Sequence, residues 1–140
     1  MQKVVIDTNV IVSALITTGY PNQIISELVL SGKINIQLSN DTFAEYVEVL
    51  GRPKFSKYPS FVFNAELVLS RIEEIAEMIK PTSRIDLIAD EADNRFVELA
   101  VSSNADFLIT GNFRDFTFEE IEGVKVVSPE MYWNKYKPEF

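Results

Sequence analysis

An α/β fold with a mostly parallel sheet is predicted by three features of this 140-residue sequence. Apolar runs of strand length alternate with amphipathic stretches of helix length from one end to the other, which is the pattern of βα units. The first run, Val4-Val5-Ile6, has no polar alternation, as expected of a strand buried on both faces in the middle of a parallel sheet. A carboxylate, Asp7, then ends it, at the strand edge where open α/β sheets place their ligands.

The elements follow in order. Val10 to Thr17 continues into a short helix, broken by the turn Thr17-Thr18-Gly19-Tyr20-Pro21. Asn22 is placed to cap a second helix, with Ile24, Ile25, Leu28 and Val29 at helical spacing and Gly32 as its stop. Residues 34–38 alternate strictly and predict a strand with one less-buried face, further out in the sheet. Ser39-Asn40-Asp41 starts a third helix carrying Phe43, Tyr46, Val47, Val49 and Leu50, with Glu45 on its polar side and Gly51-Arg52-Pro53 at its end. Residues 52–61 mix basic residues, aromatics and two prolines and predict a loop.

A long helix is expected from Asn64 to about Ile79, with Leu67, Leu69, Ile72, Ile75 and Ala76 as its apolar residues and Glu73, Glu74 and Glu77 facing water. Ile79 to Ile85 predicts a short edge strand punctuated by Pro81. Asp90-Glu91-Ala92-Asp93 opens a helix whose buried side is Phe96, Val97, Leu99, Ala100 and Val101. Asp106 to Gly111 predicts a strand and a tight turn, Val124 to Val127 a last strand, and Pro129 the start of a terminal helix containing Trp133 and Tyr136. No repeat, low-complexity stretch or linker interrupts the chain, which is expected to form one domain over residues 1–140.

Composition removes several chemistries. With no Cys and no His, thiolate and imidazole metal sites and Ser-His-Asp or Cys-His nucleophiles are excluded, so a metal held here is held by oxygen. Hard cations, Mg²⁺ or Mn²⁺, suit such ligands. No apolar run reaches the roughly 20 residues of a membrane span, and the expectation is a soluble, cytoplasmic protein without a membrane partner. Thirteen Lys and Arg against 21 Asp and Glu give a net charge of −8, which argues against holding nucleic acid by bulk charge. An enzyme that recruits phosphates through bound cations escapes that objection.

Four polar positions fall where strands end or helices begin: Asp7, Glu45, Asp93 and Asn112. Gathering carboxylates is unfavourable without a cation to offset their repulsion, and metal-assisted phosphodiester hydrolysis uses such a cluster. Each position also has a local explanation. Asp7 fits a helix cap, Glu45 a T-x-x-E capping box with Thr42, Asp93 the first turn of a helix capped by Asp90, and Asn112 a turn residue after Gly111.

Taken together, VVIDTNVIVSAL, the acid in TFAEYVEVLGRPKF, the block DNRFVELAVSSNADFLITGNFRDF and the final VVSPEMY resemble the PIN-domain family, in particular the toxin components of prokaryotic toxin–antitoxin pairs. The resemblance covers nearly the whole chain. It implies a three-layer α/β/α sandwich with a mostly parallel sheet of about five strands and a Mg²⁺- or Mn²⁺-dependent ribonuclease site. Asp7, Glu45 and Asp93 match the family's first three acids and are the implied metal ligands. Asn112 falls where many members have Asp, so the chain departs from the four-acid pattern, and Asp115, three residues on, is the other candidate to complete the set. Thr8 and Asn9 match the polar residues after the first acid, and Thr110 the small hydroxyl of the turn.

The function these features imply is a metal-dependent endoribonuclease acting on single-stranded or structured RNA, with an antitoxin protein as partner and a homodimer as its assembly. A non-catalytic PIN-like module that binds RNA or protein is the alternative, since the fourth acid is missing. A phosphatase or nucleotide-binding reading lacks the Gly-rich phosphate loop it needs. Arg52, Lys54 and Lys57, interleaved with Phe55 and Tyr58, form the densest basic-aromatic stretch and are the candidate RNA contacts.

Overall fold

The computed structural model describes residues 1–82, 84–86, 88, 90–112, 116 and 118–139. Strand β1 (Lys3–Ile6) leads into helix α1 (Thr8–Ile16), then α2 (Tyr20–Gln23), which runs on as a π-helical stretch over Ile24–Val29. Strand β2 (Asn35–Leu38) is followed by α3 (Asn40–Leu50), a 3₁₀ turn at Pro53–Phe55 and α4 (Phe61–Ile75). After β3 (Glu77–Met78) come α5 (Glu91–Ser102), β4 (Phe107–Ile109), β5 (Glu120–Ile121), β6 (Val124–Val127) and α6 (Pro129–Met131), extended by a π-helical stretch over Tyr132–Tyr136.

The sheet has six strands in the order β3-β2-β1-β4-β6-β5, one more than expected. The addition is the two-residue β5, which pairs antiparallel with β6 across the Glu122-Gly123 turn, while every other pairing is parallel. Two residues in isolation carry too little apolar pattern to be read as a strand; β5 exists because β6 offers an open edge. The chain builds outward from β1 to β2 and β3, then returns to place β4 on the other side of β1. The end of β1 is therefore the topological switch point of the sheet, the place where such folds leave a crevice for ligand. Val4, Val5 and Ile6 are wholly buried, as the unalternated run predicts.

Several boundaries differ from the sequence reading for identifiable reasons. Asn22 does not cap the second helix, which already starts at Tyr20; its side-chain amide instead donates to the Ala14 carbonyl at 2.9 Å, tying α2 to α1. Helix α4 begins three residues before Asn64, because buried Phe61 stacks on Phe55 with ring centroids 5.0 Å apart. It ends at Ile75, where Ala76 turns extended, so β3 precedes the expected 79–85 segment and Pro81 lies outside it. The buried residues of α4 are Phe61, Ala65, Val68 and Ile72, and Leu67 stands 55% exposed. Gln37, expected on a less-buried face, is fully buried because α4 and α5 both pack on β2.

Helix α5 departs most. Its apolar residues are buried as expected, apart from the half-buried Val101, but so are Asp93, Asn94, Arg95 and Glu98. The Asn94 side chain exchanges two hydrogen bonds with the Ile88 backbone, at 2.9 and 2.7 Å. Glu98 accepts from the Ile85 N–H at 2.6 Å, and Arg95 donates to the Ile85 carbonyl at 3.1 Å while pairing with Glu98 at 3.1 Å. These polar groups satisfy backbone of Ile85 and Ile88 that pairs with no strand among the described residues.

Candidate metal and phosphodiester site

All of the first candidate residues lie at the carboxyl edge of the parallel strands. Asp7 is the residue after β1, anchored through its own N–H to the Ile109 carbonyl of β4 at 2.9 Å. It occupies the N-cap position of α1, yet its side chain makes no cap bond to that helix. Its carboxylate Oδ2 instead accepts from the Thr110 hydroxyl at 2.8 Å and from the Asn9 amide at 3.2 Å. Asn9 in turn accepts from the Gly111 N–H at 2.8 Å, closing the β1 and β4 ends on each other. Any side chain at Gly111 would meet that oxygen: a Cβ there would lie 3.0 Å from Asn9 Oδ1. A larger residue in the Thr110-Gly111-Asn112 turn would have to displace the Asn9 amide that orients Asp7. The Asn112 N–H donates to the Thr110 hydroxyl at 3.1 Å, and Asn112 is exposed.

Glu45 comes from the middle of α3. The capping box of that helix is made by Ser39 and Thr42, whose side chains and backbones are reciprocally bonded, so the T-x-x-E explanation does not use up Glu45. Its carboxylate accepts from the Thr8 hydroxyl, which brings it beside Asp7. Tyr46, the next residue, is fully buried and donates its hydroxyl to the Ile6 carbonyl, immediately before Asp7.

Asp93 reaches the same edge from the other direction. Helix α5 ends beside the start of β1, where the Ser103 carbonyl lies 3.5 Å from Lys3 Nζ and the Asp106 N–H bonds the Lys3 carbonyl at 2.8 Å. A 12-residue helix spans about 18 Å, so its first turn stands at the opposite, carboxyl edge. Asp90 caps α5 by accepting from Ala92 N–H at 2.9 Å, and Asp93 follows, buried, in the first turn. Phe96, one turn on, packs against Tyr46 with ring centroids 5.9 Å apart. The three acids thus converge on one end of the sheet, although among the described residues no three of Asp, Glu, His or Cys stand close enough together to enclose an ion. Asp115 lies outside the described residues.

The electrostatics of the Asp7–Glu45 pair are unusual. Burial, reinforced by the nearby Glu45 charge and opposed by the hydrogen bond from Thr110, pushes the Asp7 carboxyl up to about 6. The Tyr46 phenol is raised well above its ordinary range by burial and by the charges of Asp7 and Glu45, so it remains a donor. Among the described residues, no Lys or Arg lies within ion-pair distance of Asp7 or Glu45; their partners are neutral hydroxyls and an amide. Arg52 feels the Glu45 charge without pairing with it, and a donor set of carboxylate oxygens with no cation in direct contact suits a hard divalent cation.

The basic stretch lies past the C-terminal end of α3. Arg52 donates twice to Glu48, at 3.2 and 2.8 Å. Lys54 and Lys57 sit over Phe55 and Tyr58, 5.1 and 5.4 Å from the ring centroids. Phe55 is buried and Tyr58 packs against Phe61, so these rings are engaged with the protein and do not offer open faces for base stacking. Two further cations not singled out in the sequence, Lys80 and Arg84, line a cleft of about 650 Å³ next to the first turn of α3, which Asp41 and Glu98 line as well, and Arg84 lies 3.9 Å from Asp41 and 4.0 Å from Glu91. Their separation in sequence from any motif hid them. Tyr46 was read only as an apolar helix residue; the signal available was that a buried Tyr needs a hydroxyl partner.

The sequence pattern of the PIN domain matches residues 3–114 of this chain. An uncharacterized protein, MJ1680, of Methanocaldococcus jannaschii is 34% identical over 111 residues, covering 79% of this chain and 70% of that protein. Two solved structures share the fold: VapBC2 from Rickettsia felis bound to a DNA fragment from its promoter, and VapBC-1 from nontypeable Haemophilus influenzae. The first has a TM-score of 0.58 at 19% identity, covering 91% of this chain and 98% of that one. The second has a TM-score of 0.59 at 20% identity, covering 92% and 99%. With its parallel sheet, its acids at the switch point and a family pattern that spans all of them, the chain belongs to the PIN-domain family, whose members are generally nucleases.

Proposed function

We propose that this protein is a Mg²⁺- or Mn²⁺-dependent endoribonuclease and the toxin of a toxin–antitoxin pair, cutting single-stranded or structured RNA. The observation that carries the reading is the Asp7–Glu45 pair: two carboxylates held together at the switch point by neutral donors, with Asp7 raised to about 6. Asp7, Glu45 and Asp93 would hold the metal, and Asn112 would complete the site from the turn after β4. When bound, the ion supplies an activated water and positive charge for the leaving oxygen.

The protein's own groups do the rest. Thr110 and Asn9 fix the Asp7 carboxylate by bonding a single oxygen, Oδ2, and Thr8 fixes Glu45. Asn112 brings an amide where an acid would add charge, so the resting site would retain one ion more readily than two. Lys80 in the cleft and Lys54 and Lys57 beyond α3 are cations that RNA phosphates could engage, while Arg52 and Arg84 would have to exchange their contacts with Glu48 and with Asp41 and Glu91.

An antitoxin partner is supported by the likeness to VapBC structures, and α4 leaves Val62, Phe63 and Leu67 exposed, an apolar face such a partner would cover. Self-association into a dimer, which would join two acidic sites into one groove, belongs to the same reading. No helix among the described residues is long and apolar enough to cross a membrane.

A second reading, a non-catalytic RNA- or protein-binding module, is favoured by one observation: the turn after β4 carries the neutral Asn112 in place of a fourth acid. Purified protein, freed of host nucleases, separates the two. Cleavage of a single-stranded RNA in Mn²⁺ that EDTA stops and Asp7→Asn abolishes supports the enzyme. RNA binding without metal-dependent cleavage supports the module.

A further inference from the structure

We propose that Tyr46 is a positioning residue of the metal site, a side chain that ties together the ends of β1, α3 and α5 and so keeps Asp7 and Glu45 side by side at the edge where α5 also carries Asp93. The proposal rests on the metal-site reading above and goes beyond it in assigning a role to a residue that touches neither metal nor RNA. The juxtaposition is direct. Tyr46 follows Glu45 on α3, so its backbone is fixed in the same helical turn. Its hydroxyl donates to the carbonyl of Ile6, the residue before Asp7. Its ring packs on Phe96, three residues after Asp93 and on the same side of α5, at a centroid distance of 5.9 Å and an interplanar angle of 33°.

The Ile6 carbonyl needs such a donor. The β1–β2 ladder registers Lys3 with Asn35 and Val4 with Ile36 and goes no further, so β2 has left β1 before Ile6 is reached. On the other side β4 continues to Ile109, opposite Ile6. Tyr46 therefore takes the place of the missing strand at the last residue before the acid, and does so from the helix that carries the second acid. A shift of that helix along its axis would move Glu45 and break the Ile6 bond together. Groups that orient ligands in this way act on metal affinity without contacting the metal.

Tyr132 provides the control. It is also fully buried, and its hydroxyl donates to Gln2 Oε1 at 2.6 Å, at the opposite end of β1 from the acids. Mn²⁺ alone is titrated by calorimetry into wild type, Tyr46→Phe, Tyr132→Phe and Phe96→Leu, with melting temperatures and the cleavage kinetics of one RNA oligonucleotide recorded in parallel. Tyr46→Phe keeps the ring and loses only the hydroxyl. It is expected to weaken Mn²⁺ binding by about 10-fold or more and to lower kcat at subsaturating metal, with KM for RNA unchanged. Phe96→Leu keeps the hydroxyl bond and is expected to weaken Mn²⁺ binding by about 3-fold, which keeps the test open should Tyr46→Phe fold poorly. Tyr132→Phe is expected to lower the melting temperature and leave Mn²⁺ affinity at the wild-type value. Wild-type Mn²⁺ affinity in both Tyr46→Phe and Phe96→Leu overturns the positioning role while leaving the metal site standing. Absence of Mn²⁺ binding by the wild type overturns both.

Discussion

The two ends of β1 solve opposite problems. At its start, polar groups are tied to one another: the Lys3 N–H donates to the Asp106 carboxylate at 2.9 Å, the Gln2 amide donates to the Tyr136 carbonyl at 2.8 Å, and Tyr132 donates to Gln2. Asp106 is exposed, so water screens what charge remains. At the other end, Asp7 is buried and Glu45 is brought beside it, with hydroxyls and an amide for company. One end is arranged for the stability of the chain. The other holds like charges together at a cost that a bound cation would remove at neutral pH, which is how a ligand site differs from a structural one.

The largest expected effect separates these ends by activity. Asp7→Asn keeps size and hydrogen bonding but removes a ligand charge, and is expected to reduce Mn²⁺-dependent RNA cleavage by at least about 100-fold. Asp106→Asn, at the quiet end, is expected to change it less than about 3-fold. Cleavage rates on one RNA oligonucleotide decide it, and equal losses at the two ends would dissolve the contrast.

Stability should move the other way. A carboxyl whose folded pKa lies above its unfolded value contributes stability that is fully present below the unfolded pKa and lost as pH rises through the folded one. For Asp7 that window runs from 3.8 to about 6. In EDTA, wild type should therefore lose up to about 3 kcal/mol between pH 4 and pH 7 relative to Asp7→Asn, the variant being the more stable at neutral pH. Urea unfolding of both proteins across that range measures the difference. A constant gap between the two curves would mean that Asp7 is not held in a charge-averse setting.

Smaller effects sharpen the picture at the rim of the site. Asn112→Asp adds a charge to the turn that already touches Thr110, and is expected to tighten Mn²⁺ binding several-fold in calorimetry, by about 1 kcal/mol at the effective dielectric of such a surface. No change in affinity would place residue 112 outside the ion's reach. Least of all, replacing Arg52, Lys54 and Lys57 by Gln should lower the slope of log affinity against log salt for RNA by up to about one unit per lost phosphate contact. Since Arg52 is already paired with Glu48, fewer than three contacts are expected to be lost.

Much of this was legible before any coordinates. The unalternated Val4-Val5-Ile6 announces a central strand because burial on both faces leaves no place for polar residues, and Asp7 at its end marks a candidate site, though the sequence alone left a helix cap as its other explanation. The order of motifs around Glu45, Asp93 and Thr110-Gly111 identified the family, and with it the layered fold. What remained hidden were relations between elements distant in sequence. Tyr46 looks like one more apolar residue until β2 is seen to leave β1 short of Ile6, and the buried Asn94, Arg95 and Glu98 look like a solvated helix face until the backbone groups of Ile85 and Ile88 are seen to bond them. A single chain position carries the hydrophobicity and local propensity of its residue, and these determine which strands and helices form and which acid has no local use. Which hydroxyl meets which carbonyl, and how far burial and a neighbouring charge lift Asp7, depend on through-space distances that arise only when the elements pack, and those the tertiary structure alone decided.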